Sequence, residues 1–146
     1  MANKTKIEII SAIFCDEVRK EASGKDIIIG ATPNGVSVLK FPAKIRGSFW
    51  LHAKATNVEK KQYSMKVELR KKKTDEIVYG VKIGISANEA APIDYFALTP
   101  PRFILSVDCE EIFSLFFSFD DDKFKHIIDI PIKKATNPPL PFDRRE

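Results

Sequence analysis

Only a few residues in this chain have side chains suited to chemistry. There are two histidines, His52 and His126, and two cysteines, Cys15 and Cys109. A run of three acids, Asp120, Asp121 and Asp122, is the densest set of oxygen donors. Neither histidine has a nucleophile close by in sequence. A hydrolytic triad needs a nucleophile, a base in hydrogen-bond reach and an orienting group, and no G-x-S-x-G turn announces one. The chain holds six glycines and neither phosphate-binding glycine pattern, which disfavours nucleotide chemistry. The acidic run would suit calcium only if carboxylates from other loops, such as Asp75, Asp94 or Asp108, joined it. The spacing matches no calcium loop, and a solvated hairpin turn is the plainer reading. The cysteines lack C-x-x-C spacing and a partnering histidine cluster, which argues against structural zinc. The expectation is therefore no catalytic residue, no metal and no cofactor. Both cysteines are expected to be buried free thiols in a reducing cytoplasm.

The elements that would hold these residues read as strands. Ile9–Cys15 and Ile27–Gly30 are short, isoleucine-rich runs closed by turn signals, a pattern of buried strands rather than helices. Both alternating sets of the first run are apolar, which predicts an interior strand. Between them lies a charged connector, Asp16–Glu21, followed by Ser23 and Gly24. Ile45–Thr56 alternates cleanly, with Ile45, Phe49, Leu51, Ala53 and Ala55 on one side. Arg46, Trp50, His52, Lys54 and Thr56 fall on the other. Period-2 alternation of this kind predicts an antiparallel sheet with one wet face. Gln62–Lys71, Ile77–Ile85, Arg102–Cys109, Ile112–Phe119 and Phe124–Ile132 follow the same rule, and Val36–Phe41 adds a short strand. Gly80 and Gly84 suggest a bulge or a close backbone approach. Asn88–Pro101 reads as irregular, with room for a helical turn near Ile93–Ala97. His126 is expected to share a face with Phe124 and Ile128.

The segment from Phe14 to Gly30, F-C-D-E-V-R-K-E-x-x-G-K-x-I-I-I-G, resembles the opening signature of a family of small uncharacterised bacterial proteins, a domain of unknown function. That resemblance implies a β-rich domain and no established activity, and it transfers no catalytic residue. Ala31, Thr32 and Pro33 follow Gly30, where the family's usual members carry an aromatic.

Taken together, the sequence predicts an all-β fold. It should be a Greek-key β-sandwich of about eight strands. An immunoglobulin-like topology comes first, and a C2-like sandwich or closed barrel second. Residues 1–135 form one domain, and 136–146 a proline-rich tail. Eleven phenylalanines in 146 residues supply a packed aromatic core. No apolar run reaches the ~18 residues of a membrane span, and no secretory signal is recognisable. A cytoplasmic protein is expected.

The net charge of +4 is unevenly spread. Residues 1–73 carry 16 Lys+Arg and 7 Asp+Glu, whereas residues 74–146 carry 8 and 13. Such asymmetry fits a basic binding face, self-association, or two halves that simply intermix. The favoured function is non-enzymatic protein–protein contact, with a second copy of the chain among the candidate partners. The alternative is single-stranded nucleic acid bound on the basic face around Trp50, His52 and Lys54. Asp16 and Arg19 are read either as a docking surface or as an ion pair that clasps the connector in place.

Overall fold

Alternation decides the longest strand. In the computed structural model, which describes residues 4–136, β5 (Ala43–Val58) buries Ile45, Phe49, Leu51, Ala53 and Ala55. Its other face carries Arg46, Trp50, His52 and Lys54, none of them fully buried. Sixteen residues are more than one neighbour can cover. β1 (Lys6–Cys15) pairs antiparallel along one side of β5. On the other side β9 (Phe103–Val107) covers Ala43–Gly47, and β8 (Ala91–Leu98) covers Leu51–Val58. The sheet curls along β5 into a half-barrel.

A second sheet runs in the order β4 (Val36–Val38), β11 (Lys125–Lys134), β10 (Glu111–Phe119), β6 (Gln62–Lys71), β7 (Ile77–Ser86). A separate hairpin joins β2 (Glu17–Lys20) to β3 (Asp26–Ile29). The fold is all-β. Among the described residues no helix is long and apolar enough to cross a membrane.

Both sheets contribute to one core. Tyr63, Met65, Val67 and Leu69 of β6 and Phe113, Leu115, Phe117 and Phe119 of β10 meet the buried side of β5. Burying each such side chain contributes roughly 1.5–3 kcal/mol. The rings of Phe14, Phe49 and Phe103 pack together, with centroids 5.4 to 6.1 Å apart. Gly47 makes room for them: a Cβ there would strike the Phe14 ring.

Several expectations need correction. β1 is an edge strand, not an interior one, because among the described residues it pairs with β5 alone. Both alternating sets are apolar because a bulge between Ile9 and Ser11 reverses the phase: Ile7 and Ile9 before it and Ala12 and Phe14 after it lie opposite the buried residues of β5, while Ile10 is 52 % exposed and Ile13 lies opposite Trp50 on the outer face. Ile27 and Ile29 are exposed, since a two-stranded hairpin has only one side against the sheet. The charged connector is itself a strand, β2. Residues 91–98 are also a strand, with no helical turn. Proline is tolerated at a sheet edge, so Pro92 does not break β8. Gly80 and Gly84 mark no close approach, as nothing lies nearer than 3.8 Å to a Cβ at either. The irregularity falls instead between Leu69 and Arg70, opposite the start of β7. Eleven strands are present among the described residues, the additions being β2 and β8. The proline-rich tail beyond Thr136 lies outside the described residues.

Candidate functional site

The signature segment builds a clasp against Trp50, in the middle of β5. Asp16 follows β1, and its N–H donates to Ile29 O at 3.0 Å. Gly30 has φ +68°, and a Cβ there would collide with the Asp16 carboxylate. A glycine is thus required on both conformational and steric grounds. The turn closes with Glu21 N–H donating to Lys25 O at 2.8 Å, around Gly24 at φ +88°. One face of the hairpin holds Lys20 and Asp26, which are cross-strand partners. Asp26 Oδ2 accepts a hydrogen bond from Trp50 Nε1 at 3.0 Å. Its buried Oδ1 has the Lys20 ammonium 3.1 Å away and no other partner among the described residues. The Trp50 hydrogen bond, then that from Lys20, hold the Asp26 carboxyl below the usual carboxylate range.

Arg19 does not pair with Asp16. It meets Glu17, with Nε 3.1 Å from Oε1 and Nη2 3.1 Å from Oε2. In a strand, residues two apart share a face, which favours Glu17, whereas Asp16 is turned against Gly30. Arg19 is exposed and Glu17 half-buried.

From this clasp a row of rings crosses the outer face of the β5 sheet. Trp50 stacks on His52 with centroids 5.7 Å apart. His52 meets Tyr95 of β8 at 5.9 Å. Lys54 lies directly opposite Tyr95 in the ladder, and Arg46 opposite Ile104 of β9. Tyr95 is 55 % exposed, Ile93 50 % and Ile104 60 %. The face therefore joins three predicted residues, Trp50, His52 and Lys54, to a ring the sequence analysis missed. Tyr95 was hidden by reading its segment as irregular. Asp16 and Arg19 belong to the adjoining hairpin rather than to the row of rings. Such a face can bind by stacking and apolar contact, with Lys54 and Arg46 as cations within it.

A second cluster lies on the outside of the other sheet. Asp129 Oδ1 accepts from Ser114 Oγ and from His126 Nε2, each at 2.6 Å, and Lys72 Nζ donates to Oδ2 at 2.8 Å. Burial raises the Asp129 pKa, but hydrogen bonds from Lys72, Ser114 and His126 outweigh it and hold the carboxyl well below its ordinary range. The residue types are those of a triad, but the connectivity is not. Ser114 donates to the carboxylate instead of to the imidazole, and it is 3 % exposed. Ser114 was not singled out in the sequence, although β10 alternation assigns it to the polar face. A bulge between Leu115 and Phe116 separates His126 from Ile128, correcting the expected shared face: Phe116 pairs with His126, and Leu115 with Ile128.

The acidic run is spent locally. Asp120 Oδ1 accepts from Ser64 N–H at 3.0 Å, and Asp121 Oδ1 pairs with Lys66 at 3.3 Å. Among the described residues no three His, Cys, Asp or Glu side chains converge as a metal site. Cys15 is buried and Cys109 is exposed, both unpaired. The expected burial of Cys109 is thus wrong, because β9 ends at Val107 and leaves it in the turn. Burial pushes the Cys15 thiol pKa up.

No curated protein matches this chain. A protein-family profile matches residues 10–127, most of the chain, covering β2 to β10 whole, β1 from Ile10 onward and only the start of β11. On that match the chain belongs to the family of unknown function DUF6941.

Proposed function

We propose that this chain is a non-enzymatic module of the cytoplasm that works by protein–protein contact through the outer face of the β5 sheet. The observation that carries this reading is the unbroken row Trp50, His52 and Tyr95, flanked by exposed Ile93 and Ile104. Aromatic and apolar side chains gathered on one face are what contact surfaces use. The architecture behind it is an immunoglobulin-like Greek-key sandwich. Supporting that assignment, the chain passes between sheets at β4–β5, β5–β6, β7–β8 and β9–β10. The test is photo-crosslinking in the native host, with a crosslinking residue at Tyr95 or, as control, at Phe116 on the opposite outer face. Adducts specific to Tyr95 that vanish in Trp50→Ala are expected. Equal adducts from both positions would remove the reading.

A second reading is single-stranded nucleic acid on the same face. It is favoured by the line of three rings beside Lys54, since bases stack on such rows. Asp26 and Glu8 beside them weaken it. Binding of a labelled oligothymidylate, weakening steeply with salt, would select this reading over the first.

A further inference from the structure

The sheet edges differ in how well they are protected. β4 has three residues. β1 is bulged, and Thr32 N–H donates to Phe14 O near its end. β8 contains Pro92 and Asp94, and β9 has five residues. Short length, bulges, prolines and charges all discourage pairing with another chain. β7 has ten residues, no proline and one charge, Lys82. Its pairing with β6 is regular from Tyr79 to Ser86.

The register says which peptide groups this edge offers. Ala87 N–H donates to Lys61 O, continuing the ladder. By antiparallel alternation, the peptide groups of Tyr79, Val81, Ile83 and Ile85 then face β6. Those of Gly80, Lys82, Gly84 and Ser86 point away from the sheet.

We infer that β7 is the seam of a homodimer, in which a second copy of this chain adds its own β7 antiparallel about a twofold axis at Val81. The pattern is self-complementary in that register and in no other of comparable overlap. Outward peptide groups must oppose one another, so even-numbered residues face even-numbered ones. A twofold at Lys82 would set that lysine against itself, which like charges disfavour. A twofold at Val81 sets Lys82 against Gly80 of the partner subunit. Gly80 lies beside Glu68 of β6, and a Cβ there would make only ordinary contacts, none nearer than 3.8 Å. Glu68 uses Oε2 to hold Arg70 at 2.7 Å, leaving Oε1 for the incoming ammonium. Lys82 has no ion-pair partner among the described residues, so the charges are complementary twice over. On the core side, Val81 meets its own copy and Ile83 meets Tyr79 of the partner subunit. This seam lies in the sheet opposite the Trp50 face and does not depend on that face binding anything.

The test uses the full chain. Sedimentation velocity at micromolar concentration should give a dimer. Lys82→Pro removes an outward N–H without removing a bond to β6, and Lys82→Glu sets two carboxylates together. Each should give the monomer mass with the strand signal in circular dichroism retained. In a Cys109→Ser background, Val81→Cys should crosslink to a covalent dimer on oxidation, and Ile83→Cys should not. A monomeric wild type overturns the seam. So does a dimer that survives Lys82→Glu, or one in which Val81→Cys fails to crosslink.

Discussion

The outer faces of the two sheets follow the same alternation but end differently. On the β6–β10–β11 side charges pair with one another, within strands and between strands and turns. Lys66 reaches Asp121, Arg70 lies between Glu68 and Asp75, and Lys72 and His126 share Asp129. Arg70 also covers the rings of Phe116 and Phe124, at 4.3 and 5.0 Å. On the β5 side the pairs Lys6–Glu8 and Lys20–Asp26 keep to the margins, and rings fill the middle. A polar strand face is thus of two kinds. One satisfies itself, and the other leaves aromatic surface for a partner.

The largest effect should come from the self-satisfied face. Asp129→Ala removes the partner of three donors, one of them the buried Ser114 hydroxyl. Leaving such groups unpaired costs about 2–3 kcal/mol, readable by urea unfolding. Tyr95→Ala, on an exposed ring, should change stability by no more than about 0.5 kcal/mol. A larger loss at Tyr95 than at Asp129 would break the contrast. Acid sharpens it. Since the folded-state pKa of Asp129 is depressed, its stabilisation is present above the ordinary carboxylate pKa. It is lost as pH falls through the depressed value. Asp129→Asn should therefore flatten the fall in stability below about pH 4.

Much of this contrast was not legible in the sequence. The alternation of β5, β6 and β10 is local, and it correctly assigned nearly every core residue of those strands. Trp50, His52 and Lys54 fell on one face for the same reason. Cross-strand partners are not local. Tyr95 joins His52 only because β8 pairs with β5 across about forty residues of chain, and Pro92 within the strand, with Pro100 and Pro101 after it, concealed β8. Asp129 meets Lys72 and Ser114 from three different strands or turns. His126 reached the outer face through a one-residue bulge, and one inserted residue reverses every later side chain. The Asp16–Arg19 pairing failed on the same point, because β2 was read as a loop and its period-2 geometry was not applied.

The next effect concerns the junction of clasp and rings. Asp26→Ala frees the Trp50 indole N–H and the Lys20 ammonium. A lost hydrogen bond to a charged acceptor should cost about 1.5–3 kcal/mol, towards the lower end because the ammonium is exposed. Trp50 is the single tryptophan, so its emission reports the site directly. Acid titration of the wild-type emission should show a transition below the usual carboxylate range, as the depressed Asp26 pKa requires. Asp26→Ala should abolish it. A transition that persists in the variant would mean that Trp50 senses another group.

The smallest effect is expected where the charges look most crowded. Arg19 and Glu17 are joined by two contacts at the surface, where Arg19 is exposed and Glu17 half-buried. Exposed pairs lose in side-chain order most of what they gain in attraction, and salt screens the remainder. A double-mutant cycle on Glu17→Ala and Arg19→Ala should show weak coupling at low salt and none resolvable at high salt. The cycle on Asp16→Ala and Arg19→Ala should be additive in both, since Asp16 is directed at Gly30. Coupling between Asp16 and Arg19 would mean that the hairpin is held by its own charges. Additivity leaves the Trp50–Asp26–Lys20 contact as its anchor, and the clasp is then held through the ring face rather than beside it.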